Sequence, residues 1–398
     1  MGKLEPQPAP ATMSGQIIFG ALPGRASFGG VADPAASPPR KGSAMMATEL
    51  TTRMLAPEDY PRWVATVAAS PDGSVYSLPD YLDALCTATG GRFRVLVAEH
   101  NDGHIVGGIA LFECDSRYGS FVSPRRLLYY NGLVLSPHDS TCPGHVTARY
   151  LQTLDAIERT LAQLRYGRLR FKSRSTCTDL RTFQSRGWSV RPSYTYVVDI
   201  GDMPAAWARL DKNHRRLIGR CTEQGLQLTL DDDFDAFHHL HLQTHERKGA
   251  PLYLPRESFR QFVETLRARN LGRLYHARLP DGRVAATQLV LTGPHPVSHT
   301  VCAGAEAELL SLGATAFLRW RVLEDLAAAG YRANDLTDAE LNSVTTFKAQ
   351  LGGELSLCLE VSRPDQLGFR LGEMAASLPN RARRGVRRAL HRSAGGSA

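Results

Sequence analysis

Several groups of residues in this chain have types and spacings that chemistry uses. Lys212, Arg215 and Arg216 fall close together and suit an anionic ligand: the diphosphate of a nucleotide- or lipid-linked precursor, or a tRNA backbone. They fit equally a solvated cationic helix face. Arg247, followed by Gly249, would extend the same cleft. Ser311, Gly313 and Ala314 open a predicted helix whose first N–H groups could meet a phosphate, with Gly313 allowing close approach. An ordinary Ser-capped helix uses the same residues. Asp335 ends a short predicted strand, where a carboxylate could orient or deprotonate an amine, or cap the following loop. His241 and His245 have the i, i+4 spacing of a metal pair. No glutamate follows His241, as His-Glu-x-x-His requires, and no metal site is expected.

The elements that must position these residues follow from patterning. Arg273 to Leu279, the turn Pro280-Asp281-Gly282 and Val284 to Leu291 read as a hairpin, because an Asp-Gly pair between apolar runs accepts positive φ without steric cost. A third run spans Val297 to Ala303. A helix from Ser311 continues through Phe317, Trp320, Leu323 and Ala327 and stops at Gly330. Then come a strand at Asn334 to Leu336, a short helix at Thr346 to Leu351, a Gly352-Gly353 break and a strand from Leu355 to Val361. Upstream, helices are predicted over Pro204 to Gln224 and Phe234 to Arg247.

An earlier hairpin, Phe93 to Ala98 and Ile105 to Phe112 around Asn101-Asp102-Gly103, repeats this pattern 179 positions before it. Helix Leu151 to Leu164, strand Arg168 to Phe171, helix Asp179 to Arg186 and strand Tyr194 to Ile200 would complete a first copy. The expectation is an internal duplication, with domains over 50–201 and 205–362.

The order strand, strand, strand, helix, strand, helix, strand resembles the Gcn5-related N-acyltransferase (GNAT) fold, in the branch of FemAB-like and BioF2-like or CelD-like proteins. The matching residues are Ser311-x-Gly313, Gly330-x-x-x-x-Asp335, Phe347-Lys348-x-x-x-Gly352-Gly353, Leu210-x-Lys212-x-x-Arg215-Arg216 and Thr244-x-x-Arg247-x-Gly249, collinear from Ala205 to Val361. The resemblance implies an α/β (α+β) chain of two tandem GNAT-like domains, each a mixed, mostly antiparallel sheet with flanking helices. It implies that Lys348 holds a phosphate or the charge developing on the acyl group; a solvated helix lysine is the plainer reading. The pyrophosphate loop usual in the superfamily is altered, since Glu308 and Leu309 stand where a basic or amide residue is common. In this fold catalysis is mostly positioning: carrier carbonyl and acceptor amine meet where two strands splay, here Val297 to Ala303 and Arg332 to Leu336.

Composition bounds the rest. The 398 residues suffice for two domains, and seven scattered cysteines without a Cys-x-x-Cys pair point to a reducing cytoplasm. The net charge of +8 is concentrated from Arg363 onward, where eight arginines face only Asp365 and Glu373. Residues 1–44, rich in Pro, Ala, Gly and Ser, read as a disordered leader, and Met45 or Met46 as a possible true start. The basic tail, 363–398, carries an amphipathic stretch from Ser377 to Arg392 that could rest on anionic lipid at the inner membrane face, or on nucleic acid. No apolar run approaches the roughly 20 residues of a membrane span.

These observations lead to an expected N-acyltransferase that moves an acyl group from acyl-CoA (acetyl-CoA) to an amine of a cell-envelope or polysaccharide-related acceptor, such as a phosphate-containing envelope precursor. Aminoacyl-tRNA is the competing donor, although no sustained heptads suggest the coiled-coil arm common among FemAB enzymes that use it. A third reading is a catalytically inactive module of this fold that binds RNA or membrane.

Overall fold

A computed structural model describes residues 50–377 except 175 and 342; the predicted leader and most of the amphipathic tail lie outside these. In the first half the strands are β1 (Leu50–Met54), β2 (Arg92–His100), β3 (Ile105–Ser116), β4 (Gly119–Val122), β5 (Leu133–Leu135), β6 (Arg168–Ser173) and β7 (Ser189–Asp199). Its helices are α1 (Tyr60–Ala69), α2 (Pro79–Thr89), α3 (Pro143–Gln163) and α4 (Arg181–Ser185). The second half begins with α5 (Met203–Arg209), α6 (Lys212–Glu223), β8 (Gln227–Leu230), α7 (Phe234–Arg247) and α8 (Arg256–Ala268). It continues with β9 (Gly272–Arg278), β10 (Val284–Leu291), β11 (Val297–Ala305), α9 (Ala314–Ala328), β12 (Ala333–Asp335), α10 (Ser343–Gln350), β13 (Glu354–Ser362) and α11 (Leu367–Ser377).

The two predicted hairpins form, and they are congruent. In β2/β3 the register shifts between the pairs Ala98↔Gly107 and Glu99↔Ile105. In β9/β10 it shifts between Ala277↔Ala286 and Arg278↔Val284, the same positions displaced by 179. Each turn closes through a glycine N–H, Gly103 to His100 O and Gly282 to Leu279 O, with φ of 84° and 87°. A β-bulge reproduced at the same place in both copies supports the duplication.

The strands form one path, β1-β2-β3-β4-β6-β13-β7-β12-β11-β10-β9-β8, with β5 beside β3. Each half contains a parallel pair, β4 with β6 and β11 with β12. The strand that follows each pair is exchanged. β7, expected to complete the first copy, lies antiparallel to β12 of the second, while β13 lies antiparallel to β6 of the first. β7 and β13 pair with each other from Val197↔Glu354 to Ser189↔Ser362. A run of alternating apolar residues specifies which face is buried but not which parallel pair it joins, so the exchange is a finding of the structure.

Two further elements differ from expectation. The helix expected over Pro204 to Gln224 is two, because Asp211 starts a new helix by accepting the Asn213 N–H at 2.8 Å. The helix expected from Ser311 begins at Ala314, after a 3₁₀ turn over Ala307–Leu312. α9 is apolar around most of its circumference, burying Phe317, Leu318, Trp320, Val322 and Leu323, which places it inside the fold.

One core cluster spans both halves: Trp63, Tyr81 and Leu85 of the first pack with Phe237, Phe259, Phe262 and Leu274 of the second. The Tyr81 and Phe262 rings meet edge-on at 5.9 Å. Truncating the chain after Gly353 would strip β13 from both β6 and β7, leaving two unpaired interior edges. Such a protein should lose its cooperative thermal transition, as followed by circular dichroism; a cooperative melt would contradict the exchanged topology.

Candidate active site

β11 and β12 run together only from Val297↔Ala333 to His299↔Asp335. Thr337 Oγ1 then donates to Thr300 O at 2.8 Å. Beyond that link β11 continues to Ala305 while the chain after β12 turns away, so the strands part where the sequence predicts a splay. Thr337 and Asp338 have φ of 47° and 63°. A β-branched residue in the left-handed region costs about 1–2 kcal/mol. The conformation is held by Asp335, whose Oδ1 accepts the Thr337 N–H at 2.8 Å. It turns two carbonyls onto Lys348, whose Nζ donates to Thr337 O and to Asp338 O.

The gap opens into a cavity of about 300 Å³ lined by Thr300 to Ala303, Thr337, Asp338, Lys348, Arg319, His241 and His245, with Tyr129 contributed by the first half. A second chamber of about 500 Å³ adjoins it over Gly313, Thr315, Leu217 and Phe347. Thr244, Lys248, Ala303 and Arg319 line both.

Burial and like charge shift the groups in this cavity. Lys348 falls to about 8, chiefly by desolvation and then by repulsion from Arg319. Arg319 is lowered by burial to about 10. Lys248 is lowered by desolvation and by the neighbouring Arg247 and Arg319. His241 is held neutral, at about 3, by burial and then by the nearby His245. A lysine near 8 is mostly charged at neutral pH with a minor neutral fraction, so it stabilises negative charge and gives up a proton more readily than an exposed lysine.

The sequence-predicted residues separate into two groups. Lys348 lines the first chamber; Gly313 and Arg247 line the second. A Cβ at Gly313 would stand 2.7 Å from Leu217 Cβ, so its φ of 99° and its contact both favour glycine. Arg247 is anchored to Ala305 O and Thr244 Oγ1, each at 3.2 Å. Ala314 is buried in the core. Ser311 lies exposed in the 3₁₀ turn, makes no side-chain cap, and offers its carbonyl to Arg220. Lys212 and Arg216 are exposed and Arg215 is half-buried, none lining either chamber; α6 presents His214 and Leu217 there. Asp335 is fully buried and also outside the lining. It accepts from Tyr130 Oη at 2.7 Å and Thr195 Oγ1 at 2.6 Å besides the Thr337 N–H, an arrangement that caps the turn and leaves little room for an amine. Among the described residues no group of His, Cys, Asp or Glu is arranged to hold a metal; His241 instead stacks on Phe237.

Arg319, Lys248, Tyr129 and Tyr253 line the cavity and were not singled out by sequence. Arg319 had a readable signal, a cation set directly after the apolar run Ala316-Phe317-Leu318 and followed by Trp320. Tyr129 had none, because it arrives from the other half of the chain.

Comparison with known proteins places this geometry in a class. Residues 208–348 match the family model described as acetyltransferase (GNAT) domain. The fold as a whole is similar to the crystal structure of FemX, at a TM-score of 0.63 and 12% identity over 81% of this chain and 99% of that one. It is also similar to the C-terminal domain (DUF2156) of a putative lysylphosphatidylglycerol synthetase from Agrobacterium fabrum, at a TM-score of 0.51 and 12% identity, covering 80% of this chain and 96% of that one. A search of the curated proteins finds no match. Residues 208–348 are thus similar to a GNAT domain, and the chain as a whole has an α/β, tandem GNAT-like fold.

Two outcomes follow from the buried polar groups. Asp335→Ala would leave the Tyr130 and Thr195 hydroxyls without an acceptor and should cost about 2–4 kcal/mol in chemical denaturation, with Asp335→Asn costing less. His241, His295 and His299 sit at about 3, about 4 and about 3 through burial. Depressed values mean that unfolding takes up protons, so their contribution is complete above about pH 6.5 and is lost as pH falls towards 3–4. Each group should remove up to about 1.4 kcal/mol per pH unit in that window. A melting temperature flat from pH 7 to pH 5 would contradict this.

Proposed function

We propose that the protein is an N-acyltransferase that moves an acyl group from acyl-CoA to an amine of a cell-envelope or polysaccharide-related acceptor. The observation that carries the reading is the parting of β11 and β12 into a two-chambered cavity with Lys348 at its turn. The chamber over Gly313 and Thr315 suits the carrier, since its walls include Leu217, Ala305, Leu310, Ala316 and Phe347 around the start of α9. The first chamber, with its hydroxyls and cations, suits the acceptor. Lys348 is placed to stabilise charge developing on the acyl oxygen, and Tyr129 lets the first half shape the acceptor side. These residues perform the transfer without a covalent enzyme intermediate, by holding carbonyl and amine together.

Aminoacyl-tRNA remains the second donor reading. It is favoured by the likeness in fold to a domain of a lysylphosphatidylglycerol synthetase, and by the exposed Lys212 and Arg216 on α6 near the second chamber. Peripheral contact with an anionic membrane is part of the same proposal. α11 exposes Leu367, Leu371 and Met374 and leads into the arginine-rich end of the chain. No described helix is long and apolar enough to cross a membrane.

Calorimetry with acetyl-CoA tests the donor. Micromolar binding that weakens roughly tenfold, about 1.4 kcal/mol, in Lys348→Ala supports acyl-CoA. Absence of binding at millimolar ligand would sink that donor and leave aminoacyl-tRNA.

A further inference from the structure

We propose that Arg319, Lys248 and Lys348 form an oxyanion subsite that holds a carboxylate or phosphoryl group of the substrate beside the reacting atoms. The inference rests on the acyltransferase reading only for where those atoms lie; the arrangement of charge stands independently.

Arg319 projects from α9, a helix whose neighbouring residues Ala316, Phe317, Leu318 and Trp320 are all buried. A guanidinium in such a setting is costly unless it is paired. Its Nη1 is buried and has no hydrogen-bond partner among the described residues. Among the described residues no carboxylate pairs with it, and only the Cys302 thiol acts against the lowering by burial.

Lys348 Nζ spends two donors on Thr337 O and Asp338 O, which leaves the third of an ammonium for a ligand. Lys248 stands exposed at the mouth, lining both chambers with Arg319. Asp338 and Glu340 line the same cavity, yet no described ion pair joins either to the three cations. Burial and then repulsion lower both lysines, Lys348 through Arg319 and Lys248 through Arg247 and Arg319, and an anion bound between them would relieve the repulsion.

The position of Arg319 identifies the kind of substrate. It faces both chambers, five residues into α9 and away from the helix start at Gly313. An anion there lies between the carrier and the acceptor amine. A substrate with a negative group close to its amine fits: an amino acid or peptide terminus if the group is a carboxylate, a phosphorylated amine if it is phosphoryl.

The test uses succinate and inorganic phosphate as probes at constant ionic strength, read by thermal shift and calorimetry on the full chain. Saturable stabilisation by either probe, weakened about tenfold in Arg319→Gln and severalfold in Lys248→Gln, supports the subsite. Arg181→Gln, an exposed substitution in the first half, should change nothing. Preference for succinate assigns a carboxylate, and preference for phosphate a phosphoryl group. Without probe, Arg319→Gln should melt no lower than wild type, because a half-buried cation with an unpartnered Nη1 has been removed. Absence of saturable binding, or a lower melting temperature with unchanged probe affinity, overturns the proposal. Should Arg319→Gln fail to fold, Lys248→Gln at the exposed mouth decides, and unchanged probe affinity there overturns it. Saturable probe binding without acetyl-CoA binding would sink the donor assignment alone; acetyl-CoA binding without probe binding would sink the subsite alone.

Discussion

The buried carboxylate of Asp335 is the point at which this structure is tied together. It receives a phenol from the first half, a hydroxyl from β7 and the N–H of the turn that follows β12. Taking a charge out of water costs several kcal/mol, and charge-assisted hydrogen bonds from three separate segments are what offset it. His299 Nδ1 stands 3.6 Å away but stays neutral, because burial outweighs the attraction of the carboxylate. The tie therefore depends on neutral donors.

From that tie the cavity is built outward. Asp335 holds Thr337 in a conformation its side chain disfavours, and this aims two carbonyls at Lys348. Lys348 is thereby held at the parting of the strands, close enough to Arg319 for its charge to be contested. The lowering of the lysine comes from its own burial and then from Arg319, while the strained turn and the two carbonyls aimed at Lys348 follow from one buried group. Its part is to position the site rather than to touch a substrate.

Legibility in the sequence followed locality. The two hairpins could be read because Asp102-Gly103 and Asp281-Gly282 state their turns within a few residues. The exchange of β7 and β13 could not, since their sequences are compatible with either parallel pair. The same divide runs through the site. Lys212, Arg215 and Arg216 drew attention because they cluster, and clustering is what a solvated helix face also does. Arg319 lies between the buried Leu318 and Trp320, where a charge is expensive, and that setting carries more information than their number. Ser311 misled for a related reason: a serine before a helix reads as a cap, whereas the left-handed Gly313 already starts α9.

The exchanged strands also impose an order on synthesis. As the chain leaves the ribosome, β6 emerges with one edge that its own half cannot cover, and β7 emerges beside no lasting neighbour. Both must wait for β12 and β13, almost the whole length of the second half. Until then the nascent protein presents two sheet edges to its surroundings, the form in which a chain is most open to association with other chains. A duplicated fold that closed each copy separately would have escaped that interval. This one accepts it, and the finished halves cannot be parted without opening both.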